Sequence, residues 1–211
     1  MDKPIIYTIG HSSHTQEFFL ELLRQHMITY VVDVRSVPAS SYAPHFNKEY
    51  LHHFLNTHGI IYEHMPEEFG ARCLDPDMLD DDGRIDFERV QNSWVFKQGI
   101  DHLWHLIEVG NKITLMCSES EPFDCHRFAV ISNALEKDGI EVQHILKDKS
   151  LISNAELEER LLVKYDKRIP KPDMFTPEVS VEEQLRVAYR LRNKDIGYSH
   201  HPQKVVKDIY D

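Results

Sequence analysis

Cysteine, long apolar runs and a leader segment are scarce or missing in this sequence, and each absence excludes a class of protein. Three cysteines occur in 211 residues, an odd number that argues against a disulfide framework and fits a reducing compartment. No apolar run approaches the roughly 18 residues of a membrane-spanning helix. Because no basic segment precedes a long apolar stretch at the N-terminus, we expect no signal peptide, no membrane contact and a cytoplasmic location.

Positive charge is also scarce. The formal net charge is −11 at pH 7, so the molecule as a whole repels nucleic acid and anionic membranes. Residues 160–211 are mildly basic, with 11 Lys and Arg against 8 Asp and Glu, a balance that is typical of a solvated surface. Binding of long duplex DNA by charge alone is therefore not expected.

Several familiar catalytic motifs are absent. There is no Gly-x-Gly-x-x-Gly sequence after the first apolar run and no P-loop, the usual signatures of dinucleotide and nucleotide binding. The lack of a Cys-x-x-Cys pair disfavours thioredoxin-like exchange. A Cys-x5-Arg phosphatase loop would need an arginine six residues after Cys117, where the sequence has Phe123, and the rhodanese loop pattern is missing as well.

Short apolar runs rich in β-branched residues predict strands. Most of them are continuously apolar, as in parallel strands that are buried on both faces. Helical patterns lie between these runs, and this alternation favours an α/β fold. We predict an open, mostly parallel, Rossmann-like sheet of about five strands with helices on both faces and further C-terminal helices. The predicted strands are 4–10, 29–35, 60–65, 112–117 and 141–146.

Local signals place the helix ends and the domain boundary. Ser13 and Gln16 form a candidate capping box, Asn47 is a candidate N-cap, and Gly99 is a candidate break. We predict an α/β core over 1–150 and a helical extension over 151–211, with a proline-rich linker at 168–177 and a loose tail. The predicted helices are 15–26, 47–59, 86–110, 125–139, 154–165 and 179–194. Glycines at positions 59, 110 and 139 are the predicted ends of the second, third and fourth of these helices.

Polar segments follow the first four predicted strands. In open parallel sheets, ligands bind beyond the carboxyl ends of the strands, so these four segments are expected to meet along one edge. We therefore predict a functional site at this edge. The segments are GHSSH, DVRSVPASSYAPHF, MPEEFGAR and SESEPFDCHR.

The fourth segment holds the most reactive side chains. Cys125, His126 and Arg127 lie at a predicted helix start, where free N–H groups would favour a thiolate and bind an anion. Arg127 could hold a phosphate or carboxylate through two hydrogen bonds. Cys117 ends the fourth strand, and Glu119 is a candidate general acid or base. The structural alternative is a buried cysteine, a capping histidine and a surface arginine, and we interpret Cys73 as a packing residue.

The first two segments add a histidine, an aspartate and an arginine. His11 follows Gly10 at a tight turn, and Asp33, flanked by valines, needs a partner if it is buried. That partner is Arg35, or Asp33 orients His11. The candidate catalytic residues are Cys117, Glu119, Cys125, His126, His11 and Asp33, and the candidate substrate-binding residues are Arg127, Arg35, Gly10, Ser12, Tyr42 (on a loop that could act as a lid) and Arg72.

Four segments together resemble a known family. TIGHS, VVDVRSVPASSYAPHFN, GIIYEHMPEEFGAR and CSESEPFDCHR occur in order across roughly residues 5 to 147, as in the domain of unknown function family 488. Usual members have Cys-Ala-Glu in place of Cys117-Ser118-Glu119, and often Leu-Gly-Gly in place of Phe69-Gly70-Ala71. The resemblance implies an α/β fold with a cluster around the histidine, the Asp-x-Arg and the two cysteines. It implies no particular reaction.

The leading functional hypothesis is an enzyme with a cysteine nucleophile. Cys125 or Cys117 would attack the substrate, His126 or His11 would act as general base, and Glu119 would be a second acid or base. Arg127 and Arg35 would hold a small anionic or nucleotide-like substrate, or a nucleic-acid end.

Two alternatives remain open. In the first, Cys117, Cys125 and His126 bind zinc or iron in a metal-dependent hydrolase, with His11 or Asp33 as a further ligand. In the second, the same edge binds a small anion or a partner without catalysis. We also expect that the C-terminal helices could mediate a homo-oligomer.

Overall fold

The fold is an α/β fold, as the sequence predicts. The computed structural model describes residues 3–72, 75–172, 174 and 178–199. Six strands form one sheet in the order β3-β2-β4-β1-β5-β6, in which every neighbouring pair is parallel except β5 and β6. The strands are β1 (Ile5–Gly10), β2 (Tyr30–Asp33), β3 (Ile61–His64), β4 (Ile113–Cys117), β5 (Glu141–Ile145) and β6 (Leu151–Ser153).

The sixth strand was not predicted. The chain reverses after β5 through a turn in which Leu146 N donates to Ser150 O, and Lys149 has a positive φ of 74°. The three residues that follow pair antiparallel with β5 at the edge of the sheet. Because β6 has only three residues and the third is Ser153, it contains no apolar run long enough to be recognised as a strand in the sequence.

Every predicted helical segment contains a helix, with differences at the ends and at one break, whereas the short helix Pro66–Phe69 was not predicted. They are α1 (Gln16–Gln25), α2 (Lys48–Thr57), α3 (Pro66–Phe69), α4 (Phe87–Asn92), α5 (Trp94–Glu108), a π-helix (Arg127–Ser132), α6 (Asn133–Lys137), α7 (Asn154–Lys164) and α8 (Val181–Ile196). Gly59, Gly110 and Gly139 have positive φ and end α2, α5 and α6, as predicted.

One capping prediction is wrong, and the other holds by position only. The N-cap of α1 is Thr15, whose side chain accepts from Phe18 N, so Ser13 and Gln16 do not form a capping box there. Asn47 is the N-cap of α2 by position, but its side chain makes no capping bond. Its Oδ1 accepts from Ser40 N instead and ties down the preceding loop. Several side-chain oxygens compete for the backbone N–H groups near a helix start, and residue spacing alone does not decide which pair forms.

The long helical segment breaks at Ser93 and not at Gly99. Ser93 has extended backbone angles, and its hydroxyl accepts from Phe96 N, so a new helix starts directly after it. Gly99 lies inside α5 for a different reason. A Cβ there would lie 2.7 Å from Cζ of Phe69 and 2.8 Å from Cβ of Glu68. The glycine therefore allows α3 to approach α5 closely.

Two hydrophobic cores cover the two faces of the sheet, which confirms helices on both sides. One core contains Phe19 of α1 and Leu51 of α2. The other contains Leu103 of α5, together with residues of the π-helix, α7 and α8. Successive residues of each buried strand point alternately into the two cores, as the pleat requires.

The C-terminal helices pack on the second of these cores. Leu157 and Leu161 of α7 and Ala188 of α8 are fully buried in it. The division into domains at residue 150 and an oligomer through these helices stay predictions. The tail at 200–211, part of the linker (173, 175–177) and Cys73 lie outside the described residues. Within the described residues, no helix combines the length and apolarity needed to cross a bilayer.

Candidate functional site

The sheet brings the ends of β1 and β4 together where the chain changes direction. β4 and β1 are neighbours in the sheet. The chain continues from β1 to β2, which lies next to β4, and from β4 to β5, which lies next to β1, so the two connections run in opposite directions along the sheet. This position is where open α/β sheets bind ligands. His11 N donates to Cys117 O and Ser12 N donates to Ser118 O, both at 2.9 Å, so the two loops continue side by side. The first and fourth polar segments therefore meet, as predicted.

Gly10 is required for this close approach. A Cβ at this position would lie 1.8 Å from the carbonyl oxygen of Glu119, far inside contact distance. The loop that carries Glu119 therefore lies directly on the backbone of β1. This gives Gly10 a steric role beside the site.

Four candidate ligand side chains converge in the loop after β4. One donor atom from each of Cys117, Glu119, Cys125 and His126 lies within 4.8 Å of all the others. Oε2 of Glu119 lies 2.8 Å from Sγ of Cys117 and 3.1 Å from Sγ of Cys125. Nδ1 of His126 lies 3.7 Å from each sulfur. Four of the six predicted catalytic residues thus form one cluster.

The orientation of His126 is set from outside this loop. Its Nε2 lies 3.1 Å from the carbonyl oxygen of Phe69 and 3.3 Å from that of Val34. Because a carbonyl only accepts, Nε2 carries a proton, and Nδ1 is the ring nitrogen that faces the two sulfurs. A carbonyl partner on the remote nitrogen is also the usual arrangement of a metal-binding histidine.

The residues after Cys125 form a π-helix and not the predicted α-helix. Cys125 N donates to Pro122 O at the end of a 3-10 turn, Pro122–Asp124, and Arg127–Ser132 then follow a wider helical path. Arg127 N lies 3.4 Å from Sγ of Cys125, so one free N–H group does point at this sulfur. Single π-turns often occur at functional sites.

Arg127 is buried, so it is not the surface arginine of the structural alternative. Its Nη1 donates to Glu119 O at 2.6 Å and its Nη2 to Ser120 O at 3.0 Å. Its Nε is buried without a partner among the described residues. The guanidinium therefore holds the first half of the loop in place. Substrate binding by Arg127 stays a prediction that these contacts do not support.

Charge in the cluster is shared between closely spaced groups. Hydrogen bonding to Cys125, together with burial, raises the pKa of Cys117. Burial also opposes ionisation of Cys125, but the hydrogen bond with Cys117 and the charge of Arg127 outweigh it and lower the pKa of Cys125. Although Glu119 as a residue is exposed, the desolvation of its carboxyl group beside the two sulfurs raises its pKa. The cluster therefore favours ionisation of Cys125 over that of Cys117.

Comparison with known proteins assigns the family. A family model described as Domain of unknown function DUF488 matches residues 15–135, more than half of the chain. The chain belongs to this family. The matched range of the DUF488 domain includes all four clustered side chains, whereas β1, α7 and α8 lie outside it. No curated protein and no solved structure matches the chain.

A second polar cluster of the DUF488 fold lies at the end of β2. Arg35 binds both carboxylate oxygens of Asp33, through Nε at 2.8 Å and Nη2 at 2.6 Å, which confirms the predicted pairing. Tyr62 donates to the same carboxylate at 2.6 Å, and Arg35 also donates to Phe46 O at 2.9 Å. All four residues of this network are buried, so its first effect is to hold the loop after β2.

His11 belongs to this second cluster and not to the four-donor cluster. Its Nδ1 donates to Ser12 O at 2.9 Å, and its Nε2 accepts from Nη1 of Arg35 at 3.1 Å. The ring stacks on Phe46 at 4.4 Å. Burial, assisted by the charge of Arg35, lowers the pKa of His11 to about 4, so the ring is neutral at pH 7. The roles of His11 and Asp33 as catalytic residues or metal ligands stay predictions.

The remaining predicted residues lie at the edge of the site. Ser12 has a positive φ of 48°, a strained conformation that is common near functional sites. Tyr42 is almost fully exposed and makes no side-chain contact with the four donors. Arg72 N donates to Ser36 Oγ, and its guanidinium lies 5.4 Å from the ring centre of Tyr198. Substrate binding by Ser12, Tyr42 and Arg72 stays a prediction.

Three contributors to the site were missed. The carbonyl groups of Val34 and Phe69 orient His126, but a backbone acceptor leaves no mark in the sequence. Arg192 of α8 contacts the Pro122–Asp124 turn, although 69 residues separate it from Phe123. Only the basic character of α8 could have drawn attention to it.

Proposed function

We propose that the protein is a metal-dependent hydrolase in which Cys117, Cys125 and His126 bind the metal and Glu119 occupies the side that faces solvent. The convergence of these four donor atoms within 4.8 Å carries the proposal. Two sulfurs and an imidazole form a donor set that suits zinc, and thiolate ligands also suit iron.

The spacing of the donors fits a tetrahedral ion. Bond lengths of about 2.3 Å to sulfur and 2.0 to 2.1 Å to nitrogen place these atoms roughly 3.6 Å apart around zinc. Nδ1 of His126 lies 3.7 Å from each sulfur. Oε2 of Glu119 lies closer to the sulfurs than this geometry requires, so it would move outward by a few tenths of an ångström. Its exposed position allows this movement.

Protonation in the cluster supports the same conclusion. Metal binding releases protons from thiols and carboxyl groups, and a cation removes the cost of keeping several acids together. Without a cation, the raised pKa of Cys117 and of Glu119 reflects burial and the closeness of Cys125. A divalent ion would convert this arrangement into a fully ionised, charge-compensated one.

Glu119 gives the site a catalytic character. A structural zinc site has four permanent ligands, whereas a catalytic site keeps one position open for water or substrate. The three Cys and His side chains are buried and Glu119 is exposed. If Cys117, Cys125 and His126 held a metal, the metal would make a bound water molecule more acidic, and the carboxylate of Glu119 would be placed to accept the proton of this water. Zinc deaminases combine the same kinds of group, with a glutamate that acts as acid and base beside Cys and His ligands.

A cysteine nucleophile is the second candidate. The lowered pKa of Cys125 and the N–H group of Arg127 that points at its sulfur favour it. Access argues against it, because Cys125 is only 1% exposed and Cys117 only 3%. A nucleophile must reach the substrate directly, whereas a metal ion can be reached from the Glu119 side. We therefore place the metal-dependent reaction first.

The proposal is tested by elemental analysis of freshly purified protein. We expect about one zinc or iron ion per chain, and loss of this ion in Cys117→Ser, Cys125→Ser and His126→Gln. Glu119→Gln should keep the ion, and Glu121→Gln is its matched control, because Glu121 lies in the same loop and pairs with exposed Arg160. Metal-free wild-type protein with one rapidly reacting thiol would instead support the cysteine nucleophile.

A substrate screen follows from the proposed chemistry. Nucleosides with an exocyclic amine, small amides and phosphate esters cover the anionic and nucleotide-like substrates that we expect. Turnover should require the metal and should fall strongly in Glu119→Gln, although this variant still binds the ion. Equal turnover in Glu119→Gln and Glu121→Gln would refute the assigned role of Glu119.

A further inference from the structure

Arg192 of the C-terminal helix α8 contacts the loop that supplies three of the four donors, the fourth being Cys117 at the end of β4. Its side chain is only 3% exposed. Nε and Nη2 donate to the carbonyl oxygen of Phe123 at 3.1 and 3.0 Å, and Nη2 also pairs with Asp124. The guanidinium lies 4.7 Å from the ring centre of Phe123, so one cation contacts this residue by both its backbone and its side chain.

The contacted turn determines where Cys125 lies. Phe123 and Asp124 belong to the 3-10 turn Pro122–Asp124, and Cys125 N donates to Pro122 O at 3.1 Å. A shift of this turn therefore moves Cys125 and His126 relative to Cys117, which β4 holds in the sheet. Because metal ligation tolerates displacements of only a few tenths of an ångström, the position of this turn matters for binding.

Two buried arginines thus hold the loop at its two halves. Arg127 binds the carbonyl groups of Glu119 and Ser120, and Arg192 binds that of Phe123. Arg127 is part of the loop's own continuation, whereas Arg192 comes from a helix beyond the range that the family model matches. The second half of the loop depends on a segment remote in sequence.

α8 is itself firmly attached, so Arg192 is a fixed support. The neighbouring Asn193 accepts from Phe87 N at 2.6 Å and donates to Ile85 O at 2.7 Å. One turn earlier, Tyr189 donates to Glu158 of α7 at 2.9 Å. These bonds join α8 to the segment before α4 and to α7, which leaves the guanidinium of Arg192 little freedom to move.

We propose that Arg192 is a positioning residue of the metal centre, which fixes the Pro122–Asp124 turn so that Cys125 and His126 lie at ligand distance from Cys117. This inference rests on the proposed function. It assigns α8 to the metal centre although α8 contributes no ligand. Partners outside the ligand set typically change metal affinity by about ten- to hundredfold.

The test uses Co²⁺ as a spectroscopic probe in the full-length chain. Thiolate ligands give Co²⁺ a charge-transfer band, so the titration reports both affinity and the number of bound sulfurs. We expect Arg192→Gln to bind Co²⁺ about tenfold more weakly, with a reduced band per bound ion. Arg192→Lys, which keeps the charge and one donor, should recover part of both. A role in stability alone would leave the band of the saturated, folded protein unchanged.

Arg190→Gln is the matched control. Arg190 lies on the same helix, is exposed and pairs with Glu88 through two hydrogen bonds, so its loss removes one charge without touching the loop. It should bind Co²⁺ like the wild type. If Arg192→Gln does not fold, the same Co²⁺ titration is carried out on Asp124→Asn. Asp124 is 63% exposed, and this substitution removes the charge that pairs with Arg192. A smaller decrease in affinity is then expected.

The possible failures are distinguishable. Co²⁺ affinity and spectrum equal to wild type in Arg192→Gln, or in Asp124→Asn if only that variant folds, overturn the role of Arg192 and leave the proposed function intact. Wild-type protein that binds no Co²⁺ overturns the proposed function and, with it, the positioning role.

Discussion

Removing His144 should make the protein less sensitive to acid. His144 lies on β5 and is completely buried. Its Nδ1 lies 2.8 Å from Oγ1 of Thr8, and its Nε2 has no partner among the described residues. Burial, with the charge of Arg127 as the second cause, lowers the pKa of His144 to about 3, and the opposing effects of Asn154 and Cys125 are outweighed.

The sign and size of the effect follow from this pKa. The ring is neutral in the folded protein down to about pH 3, whereas in the unfolded chain it binds a proton below about pH 6.5. The unfolded state therefore gains protons first as pH falls, and stability decreases between these two values. At about 1.4 kcal/mol per pH unit, His144 accounts for a loss of about 2 kcal/mol between pH 7 and pH 5.

Urea unfolding at pH 7 and pH 5 measures this loss. In wild-type protein, the free energy of unfolding should fall between the two pH values by an amount that includes about 2 kcal/mol from His144. His144→Gln should fall by about 2 kcal/mol less, whatever its stability at pH 7. His53→Gln on the exposed side of α2 is the control and should follow the wild type. If His144→Gln and wild type lose the same stability, His144 does not resist protonation as described.

Two further predictions concern the backbone and the buried ion pair. Gly10→Ala should lower the free energy of unfolding by about 3 kcal/mol or more, because its Cβ would overlap the carbonyl of Glu119. Gly110→Ala, with open space and positive φ, should cost only about 1 kcal/mol, and a smaller loss at Gly10 would contradict the steric argument. Asp33→Ala should cost about 3 to 5 kcal/mol in urea unfolding, because it leaves Arg35 buried and unpaired. Removing exposed Glu21, the partner of Lys149, should cost less than about 1 kcal/mol, and similar losses at the two sites would refute the importance of burial.

The sheet and the location of the site were predictable because their signals are local. Short runs rich in β-branched residues, most of them continuously apolar, mark five of the six strands, and parallel strands place their carboxyl ends at one edge. The convergence of Cys117, Glu119, Cys125 and His126 follows from this arrangement and from their closeness in sequence. Glycine stops at the helix ends were equally readable, because positive φ strongly favours glycine.

The details that orient the site were not predictable, because they depend on tertiary contacts. Nothing in the spacing of residues 125–132 distinguishes a π-helix from an α-helix. The burial of Arg127 and Arg35 depends on which carbonyl groups the folded loops present to them. The contact of Arg192 with Phe123 depends on the packing of α8, which an apolar stripe predicts only as burial somewhere on the core.

The closeness of the four donors in sequence has a consequence for folding. All of them lie within the ten consecutive residues 117–126, so, if the protein binds a metal as proposed, the unfolded chain would already offer these ligands in one short segment. An ion bound by both states stabilises the fold only by the excess of its affinity for the native form. That excess comes from β4, Val34, Phe69 and Arg192, which hold the donors in one geometry. Under the proposed function, a nascent chain would therefore bind the metal before β1 and β4 pair, and folding would then tighten a complex that already exists.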